Sequence, residues 1–324
     1  MAKVLGIGNA LVDILAQLES DETLAKFNLP KGSMQLVDAS TSNKVNEGTN
    51  HLKKEIASGG SAANTIHGLA KMGIKTGFIG KVGQDEFGKL FQDDMTNNGI
   101  EPLLLESDTP SGKAMALISP DSERTFATYL GAAVELSSND LSSELYKGYD
   151  YFHIEGYLVQ NHELIETAVK LAKENGLKVS IDMASYNVVE DNLEFLQRIV
   201  KDYVDIVFAN EEEAKAFTGK EPEEAIHVFG ELCDYAIVKV GKDGSMIKHN
   251  GALTIVNSIV ANSTDTTGAG DLYASGFLYG LINGLPLMKC GQIGSILAGN
   301  TIEVIGPKMS AEKWEEVKQL VAKL

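Results

Sequence analysis

Asp265-Thr266-Thr267-Gly268-Ala269-Gly270-Asp271 runs directly into Leu272-Tyr273-Ala274-Ser275-Gly276-Phe277-Leu278-Tyr279-Gly280-Leu281, and this stretch decides how the chain reads. A polar, glycine-rich turn opens into an apolar helix with a carboxylate in its first turn. Small residues at Gly268, Ala269 and Gly270 let backbone N–H groups approach an anion, and the helix dipole favours negative charge there. An acid beside such an anion hole can take a proton from an attacking hydroxyl. The same residues also fit a capped helix start, with Asp265 or Thr267 as the cap and Asp271 as a surface acid. Local chemistry leaves both readings open.

Outward from this turn, strand and helix signals alternate. A short apolar strand over 4–7 ends at Gly8-Asn9. Ser58-Gly59-Gly60-Ser61 leads into a small-residue helix over 62–72, followed by a strand over 76–80 and a helix over 86–98. From Tyr151 onward, strands over 151–154, 178–182, 205–209 and 235–240 are separated by helices over 163–175, 193–201, 211–217 and 223–232. Short apolar strands joined by helical crossovers predict a mostly parallel sheet covered on both faces. Ligands in such sheets bind beyond the carboxyl ends of the strands. Asn9, Asp182, Asn210, Gly241 and the 265–271 turn all fall there.

Two pieces break the alternation. The segment 15–50 is polar and weakly periodic, and 112–118 with 124–130 reads as a hairpin turning at Ser119-Pro120-Asp121-Ser122. Near the end, an apolar helix over 287–304 precedes an amphipathic one over 310–324. Trp314 is expected to dock that last helix, since a single aromatic on an apolar stripe is usually core.

Bulk properties narrow the function. The 324 residues are 44% hydrophobic and 23% charged, ordinary for a globular chain with a sizeable core. A formal net charge of -17 argues against a nucleic-acid surface, which needs clustered Lys and Arg. Cys233 and Cys290 read as buried thiols, with no disulfide framework or metal cluster. No leader pattern or long apolar run is apparent, which predicts a cytosolic protein without membrane contact.

Gly59-Gly60-Ser61-Ala62-Ala63-Asn64 and the 265–271 heptamer together resemble the two signatures of the ribokinase/PfkB family of carbohydrate and nucleoside kinases. The likeness runs from Gly6 to the last helices and is closest to the adenosine-kinase-like branch. It implies an α/β fold: a three-layer ribokinase-like core with a mostly parallel central sheet and a small β lid. The core would comprise 1–13, 51–111 and 131–324, and the lid 14–50 and 112–130. A lid suits a kinase, because excluding water disfavours hydrolysis of the donor.

The resemblance also implies roles. Asp271 matches the catalytic base, Gly268, Ala269 and Gly270 the anion hole, and Arg124 a lid arginine near the phosphates. Lys239, Gly241, Gly244, Thr266 and Asn300 match the ATP side. Asn210 and Glu213 resemble an Asn-x-x-Glu element that positions Mg²⁺ largely through water. Read by themselves, the acids at 211–213 fit a dipole-satisfied helix start better than a metal site. Asn9, Asp13, Gly59, Gly60 and Asn64 match the acceptor end, where Asp13 can accept hydrogen bonds from two adjacent hydroxyls. Gln35 and Phe126 would face a nucleobase. ATP and Mg²⁺ are implied, with room for a monovalent cation.

The expected activity is transfer of phosphate from ATP to the 5′-hydroxyl of a nucleoside, adenosine foremost. A sugar or sugar-acid kinase is the alternative, since Glu123-Arg124-Thr125-Phe126-Ala127-Thr128-Tyr129-Leu130-Gly131-Ala132 resembles sugar-kinase members. A silent nucleotide-binding regulator is the alternative from another class, and the presence of Asp271 with a complete anion hole argues against it. No Gly-x-x-x-x-Gly-Lys-Ser/Thr occurs, which excludes a Walker-type kinase. Partners are expected to be small molecules, with a monomer or a homodimer equally compatible.

Overall fold

The computed structural model describes residues 2–121 and 123–324; Met1, at the start of the expected core, and Ser122, in the expected hairpin turn, lie outside them. Among the described residues fourteen strands form two sheets. They are β1 (Lys3–Ile7), β2 (Leu11–Gln17), β3 (Met34–Leu36), β4 (Lys54–Gly59), β5 (Lys75–Gly83), β6 (Ile100–Ser107), β7 (Gly112–Ile118) and β8 (Arg124–Tyr129). The rest are β9 (Tyr151–Glu155), β10 (Lys178–Asp182), β11 (Ile206–Asn210), β12 (Tyr235–Lys239), β13 (Ser245–His249) and β14 (Ala252–Val256).

The large sheet has the order β14-β13-β12-β11-β10-β9-β1-β5-β6. It is parallel from β12 through to β6, and β13 and β14 add an antiparallel hairpin at one edge. Pro102 sits in β6, the other edge strand, where its missing N–H leaves no gap in a ladder. Side-chain alternation sends neighbouring residues to opposite faces. Val207 and Ala209 join one core with the helices His162–Glu174, Leu193–Tyr203 and Pro222–Leu232. Ile206 and Phe208 join the other, with Ser61–Lys71, Glu86–Asn97 and Ala269–Ile282. The result is the three-layer arrangement expected from the alternation.

The small sheet has the order β3-β8-β7-β2-β4 and forms the lid. It takes in β4, within a stretch grouped with the core on sequence, because Lys54–Gly59 pairs antiparallel with β2. The β13–β14 hairpin, absent from the sequence reading, turns at Asn250-Gly251, both with positive φ (48° and 78°). That pair is the residue choice a tight hairpin turn requires.

Trp314 is 2% exposed and packs the last helix, Ala311–Ala322, against the body, with Ser310 capping that helix through Lys313 N–H. Both cysteines are free thiols; Cys290 is buried, whereas Cys233 at a helix end is only half-buried. No helix among the described residues is long and apolar enough to cross a membrane.

Candidate active site

In the large sheet the chain order reverses between β1 and β9, and the two strand ends there meet through side chains. Asn9, just beyond β1, donates from Nδ2 to Glu155 Oε1 of β9 at 2.5 Å and from its backbone N–H to the same oxygen at 3.3 Å. Ala62 N–H donates to Glu155 Oε2 at 3.2 Å, so one buried carboxylate ties both strands to the helix Ser61–Lys71. Burial raises the Glu155 pKa to about 7, against the pull of these N–H donors. Gly60 enters the same helix at φ 98°, and a side chain there would strike the Asn9 carbonyl at 2.3 Å. Only glycine tolerates both that backbone and that approach.

The helix Ala269–Ile282 faces this point. Gly268 caps it in the left-handed region (φ 77°), which places Asp271 at its third residue. Gly270 and Asp271 are too near the start to have an i−4 acceptor, so the helix leaves their N–H groups pointing outward. Asp271 Oδ1 accepts from Ser61 Oγ at 2.7 Å, and Oδ2 from Asn64 Nδ2 at 3.0 Å. Burial lifts its pKa to about 6, and those two donors restrain the rise. The carboxylate is thus oriented, screened from bulk water and close to neutral in basicity, as a general base requires.

Lys239, at the end of β12, reaches the same turn. Its Nζ would stand 3.0 Å from a Cβ built on Gly270, and it donates to Asp182 Oδ2 at 2.8 Å. Burial opposes its charge, but the Asp182 and Glu213 carboxylates outweigh that and hold its pKa above the ordinary range. Glu213 and Asn210 form a reciprocal cap at the start of Glu211–Thr218. Glu213 Oε2 accepts from Asn210 N–H at 2.7 Å, and Asn210 Oδ1 accepts from Glu213 N–H at 2.8 Å. Burial and then Asp182 push the Glu213 pKa upward. The helix-start reading of this acid therefore holds, and the residue also lines the cleft.

These groups border one cleft of about 1260 Å³ between the sheets. It brings together Asn9, Asp13, Gly60, Asn64, Phe126, Asn210, Glu213, Lys239, Gly241, Gly244, Thr266 and the run Gly268, Ala269, Gly270, Asp271. Gly244 (φ 99°) is obligatory, since a Cβ would meet the Val256 carbonyl at 1.9 Å. Gly59 lies behind the wall, and its missing side chain makes room for the Asp13 carboxylate, 2.2 Å from where a Cβ would stand. Burial raises the Asp13 pKa to about 7, opposed by Lys308.

Besides Gly59, three expected residues are placed outside the cleft wall. Gln35 is exposed and donates to Ser33 Oγ at 3.3 Å, while Met34 and Leu36 line the cleft. Strand alternation sends Gln35 to the opposite face. Arg124 is not in the cleft wall: its guanidinium pairs with Asp265 at 2.7 Å and donates to Thr267 Oγ1 at 3.3 Å. It fastens β8 of the lid to the outer side of the glycine turn. Asp265 also accepts from Thr267 N–H at 3.1 Å and Gly306 N–H at 2.6 Å, which explains an acid at the head of the heptamer. Asn300 turns back to the Ile296 carbonyl at 2.8 Å, and its neighbours Ala298 and Gly299 line the cleft instead. Ser61, Glu155 and Lys308 gained no role from the sequence, and Asp182 was read only as lying at the ligand end of its strand. Asp182 and Glu155 end strands and Ser61 adjoins Gly60, which are legible signals; Lys308 carried none.

The pfkB family carbohydrate kinase profile matches residues 33–314, most of the chain. The chain belongs to this family. A probable sugar kinase from Rhizobium etli CFN 42 has a solved structure that is 33% identical, with TM-score 0.88 and 98% of both chains covered. The adenosine kinase from Sinorhizobium meliloti is 31% identical, with TM-score 0.86, covering 98% of this chain and 99% of that one. A curated relative, the 5-dehydro-2-deoxygluconokinase of Bacillus subtilis, is 28% identical over 280 residues, covering 81% of this chain and 86% of its own. As a pfkB kinase, the protein is an ATP-dependent phosphotransferase with an alcohol acceptor on a small nucleoside or sugar.

Proposed function

We propose that the acceptor is a nucleoside, adenosine foremost, phosphorylated at its 5′-hydroxyl. The observation that supports this is an apolar wall beside the polar acceptor end. Met34, Leu36, Val134 and Tyr157 line the cleft while remaining at least 36% exposed, and Phe126 lies beside Met34 in the paired β3–β8 register. Asn9, Asp13, Gly60 and Asn64 suit a ribose, and a free sugar would leave the apolar wall to water. A base covering it contributes about 25 cal/mol per Å² of apolar surface.

In the proposed reaction Asp271 accepts the proton of the acceptor hydroxyl as that oxygen bonds to the γ-phosphorus. The bond from phosphorus to the β–γ bridging oxygen breaks, and its electrons leave with ADP. The outward N–H groups of Gly270 and Asp271, the helix dipole and the Lys239 ammonium meet the charge that develops on the phosphoryl oxygens, while Ala269 N–H is already given to the Thr266 carbonyl at 3.2 Å. Gly241 and Gly244 let the backbone approach the nucleotide. Arg124, through Asp265, holds the lid strand against the turn and helps to keep water out.

The oxygen donors Glu213, Asn210 and Asp182 fit a Mg²⁺ held largely through water. They are hard ligands on the ATP side, yet no cluster of three metal-ligating acids, histidines or cysteines exists among the described residues to bind it alone. When bound, Mg²⁺ supplies charge neutralisation on the donor phosphates.

A second reading, a sugar or sugar-acid acceptor, is favoured by the relatives from Rhizobium etli and Bacillus subtilis. Comparing kcat/KM for adenosine, inosine, guanosine, ribose, fructose and 2-keto-3-deoxygluconate at fixed ATP and Mg²⁺ decides between them. We expect a nucleoside to lead, and a free sugar turned over better than every nucleoside would refute the proposal.

A further inference from the structure

Gly306, Pro307 and Lys308 form a short strap between the last two helices, and each touches a different part of the site. Gly306 N–H donates to Asp265. Pro307 fills the space opposite Gly268, with its Cβ 2.6 Å from where a side chain there would begin. Lys308 Nζ donates to Ser58 Oγ at 3.2 Å, and Ser58 Oγ donates in turn to the Asp94 carboxylate. Ser58 is wholly buried and stands opposite Val12 in the β2–β4 pair, one residue before the Gly59 that accommodates Asp13. A lysine 250 positions away in sequence thus reaches the floor of the acceptor end.

The charged groups around this ammonium are Asp94, Asp13, Lys71 and Asp271. His67, buried on the helix Ser61–Lys71, adds no charge, because burial and then Lys308 hold its pKa well below the ordinary value. Lys308 itself is lowered to about 8 by burial, with Asp94 and Asp13 pulling back. Of the two charges most affecting Asp13, Lys308 favours the carboxylate and Asp271 disfavours it.

We propose that Lys308 is a positioning residue for the acceptor: through Ser58 it holds the β4 edge beside Asp13, and its ammonium is the counter-charge that lets Asp13 meet acceptor hydroxyls as a carboxylate. This rests on the reading of Asp13 as an acceptor residue.

The test compares Lys308→Met, Lys308→Arg and Asp13→Asn by steady-state kinetics across pH, using ATP, Mg²⁺ and the best acceptor of the panel above. Lys308→Met should raise the acceptor KM about tenfold at pH 7 and leave the ATP KM unchanged. The acidic break in the acceptor kcat/KM should move up by about one pH unit. Lys308→Arg should restore both. An unmoved break, or a loss confined to kcat, would overturn the inference. Asp13→Asn without any effect on acceptor KM would refute the acceptor reading of Asp13. If Asp13→Asn raises that KM and Lys308→Met does not, the Lys308 inference alone fails. Should Lys308→Met not fold, Ser58→Ala removes the tether and keeps the charge. A raised acceptor KM at constant ATP KM then supports the inference, and an unchanged one overturns it.

Discussion

Replacing Asp13 by asparagine should make the protein more stable in alkali and worse at holding its acceptor. The Asp13 carboxyl titrates at about 7 in the folded chain against 3.8 when unperturbed, because burial penalises its ionised form. Below pH 3.8 it is protonated in both states and costs nothing. As pH rises, the unfolded chain ionises first, so stability falls through the window from 3.8 to about 7 and then levels off. About 3 pH units at 1.36 kcal/mol each set a ceiling of about 4 kcal/mol, and the side chain's partial access to water brings the expectation to about 2–4 kcal/mol. Asparagine has nearly the same shape and cannot ionise. Its advantage in urea unfolding should be about 1.5 kcal/mol at pH 5 and reach the full amount by pH 8.5. The pH dependence of the difference is the readout, since altered hydrogen bonding would add only a constant offset. Kinetics on the same variant should show an acceptor KM raised about 10- to 100-fold with little change for ATP, as expected on losing a charge-assisted bond. A stability difference that is flat across pH would refute the burial argument, and equal weakening of both substrates would refute the placement of the acceptor.

Three further outcomes follow from the same geometry. Asp271→Asn should keep the melting temperature within a few degrees and lose about 10²- to 10⁴-fold in kcat; near-parental turnover in the purified variant would show that another group takes the proton. In the parental enzyme, log kcat/KM for the acceptor should bend downward below about pH 7 and steepen toward a slope of two below about pH 6, as Asp13 and then Asp271 protonate. A single-slope profile would mean that only one of these carboxylates matters. Gly59→Ala should damage acceptor binding more than ATP binding, because its methyl group would meet the Asp13 carboxylate at 2.2 Å. Selective loss of ATP affinity would contradict that arrangement.

What could be read from the sequence was what is encoded locally. Crossover alternation, glycine stops and the 265–271 turn depend on neighbours within one or two turns of chain, and the helix with Asp271 in its first turn appears where expected. The Asn250-Gly251 hairpin was equally local and legible, yet its five-residue strands offered too little alternation to stand out beside the long crossovers. Strand alternation in Met34-Gln35-Leu36 places Gln35 opposite its neighbours, but which face meets the cleft is decided only when β3 pairs with β8. Arg124 could have pointed at a phosphate or at a protein acid; the packing of β8 beside the glycine turn set it on Asp265. Asn300 could have faced ligand or its own helix, and packing turned it inward. Lys308 and Ser58 reveal nothing alone, because a hydrogen bond across 250 residues exists only once the last loop is packed against the lid. Periodicity is a property of the chain, but the partner of a buried charge is a property of the fold, set by which distant surfaces exclude water together.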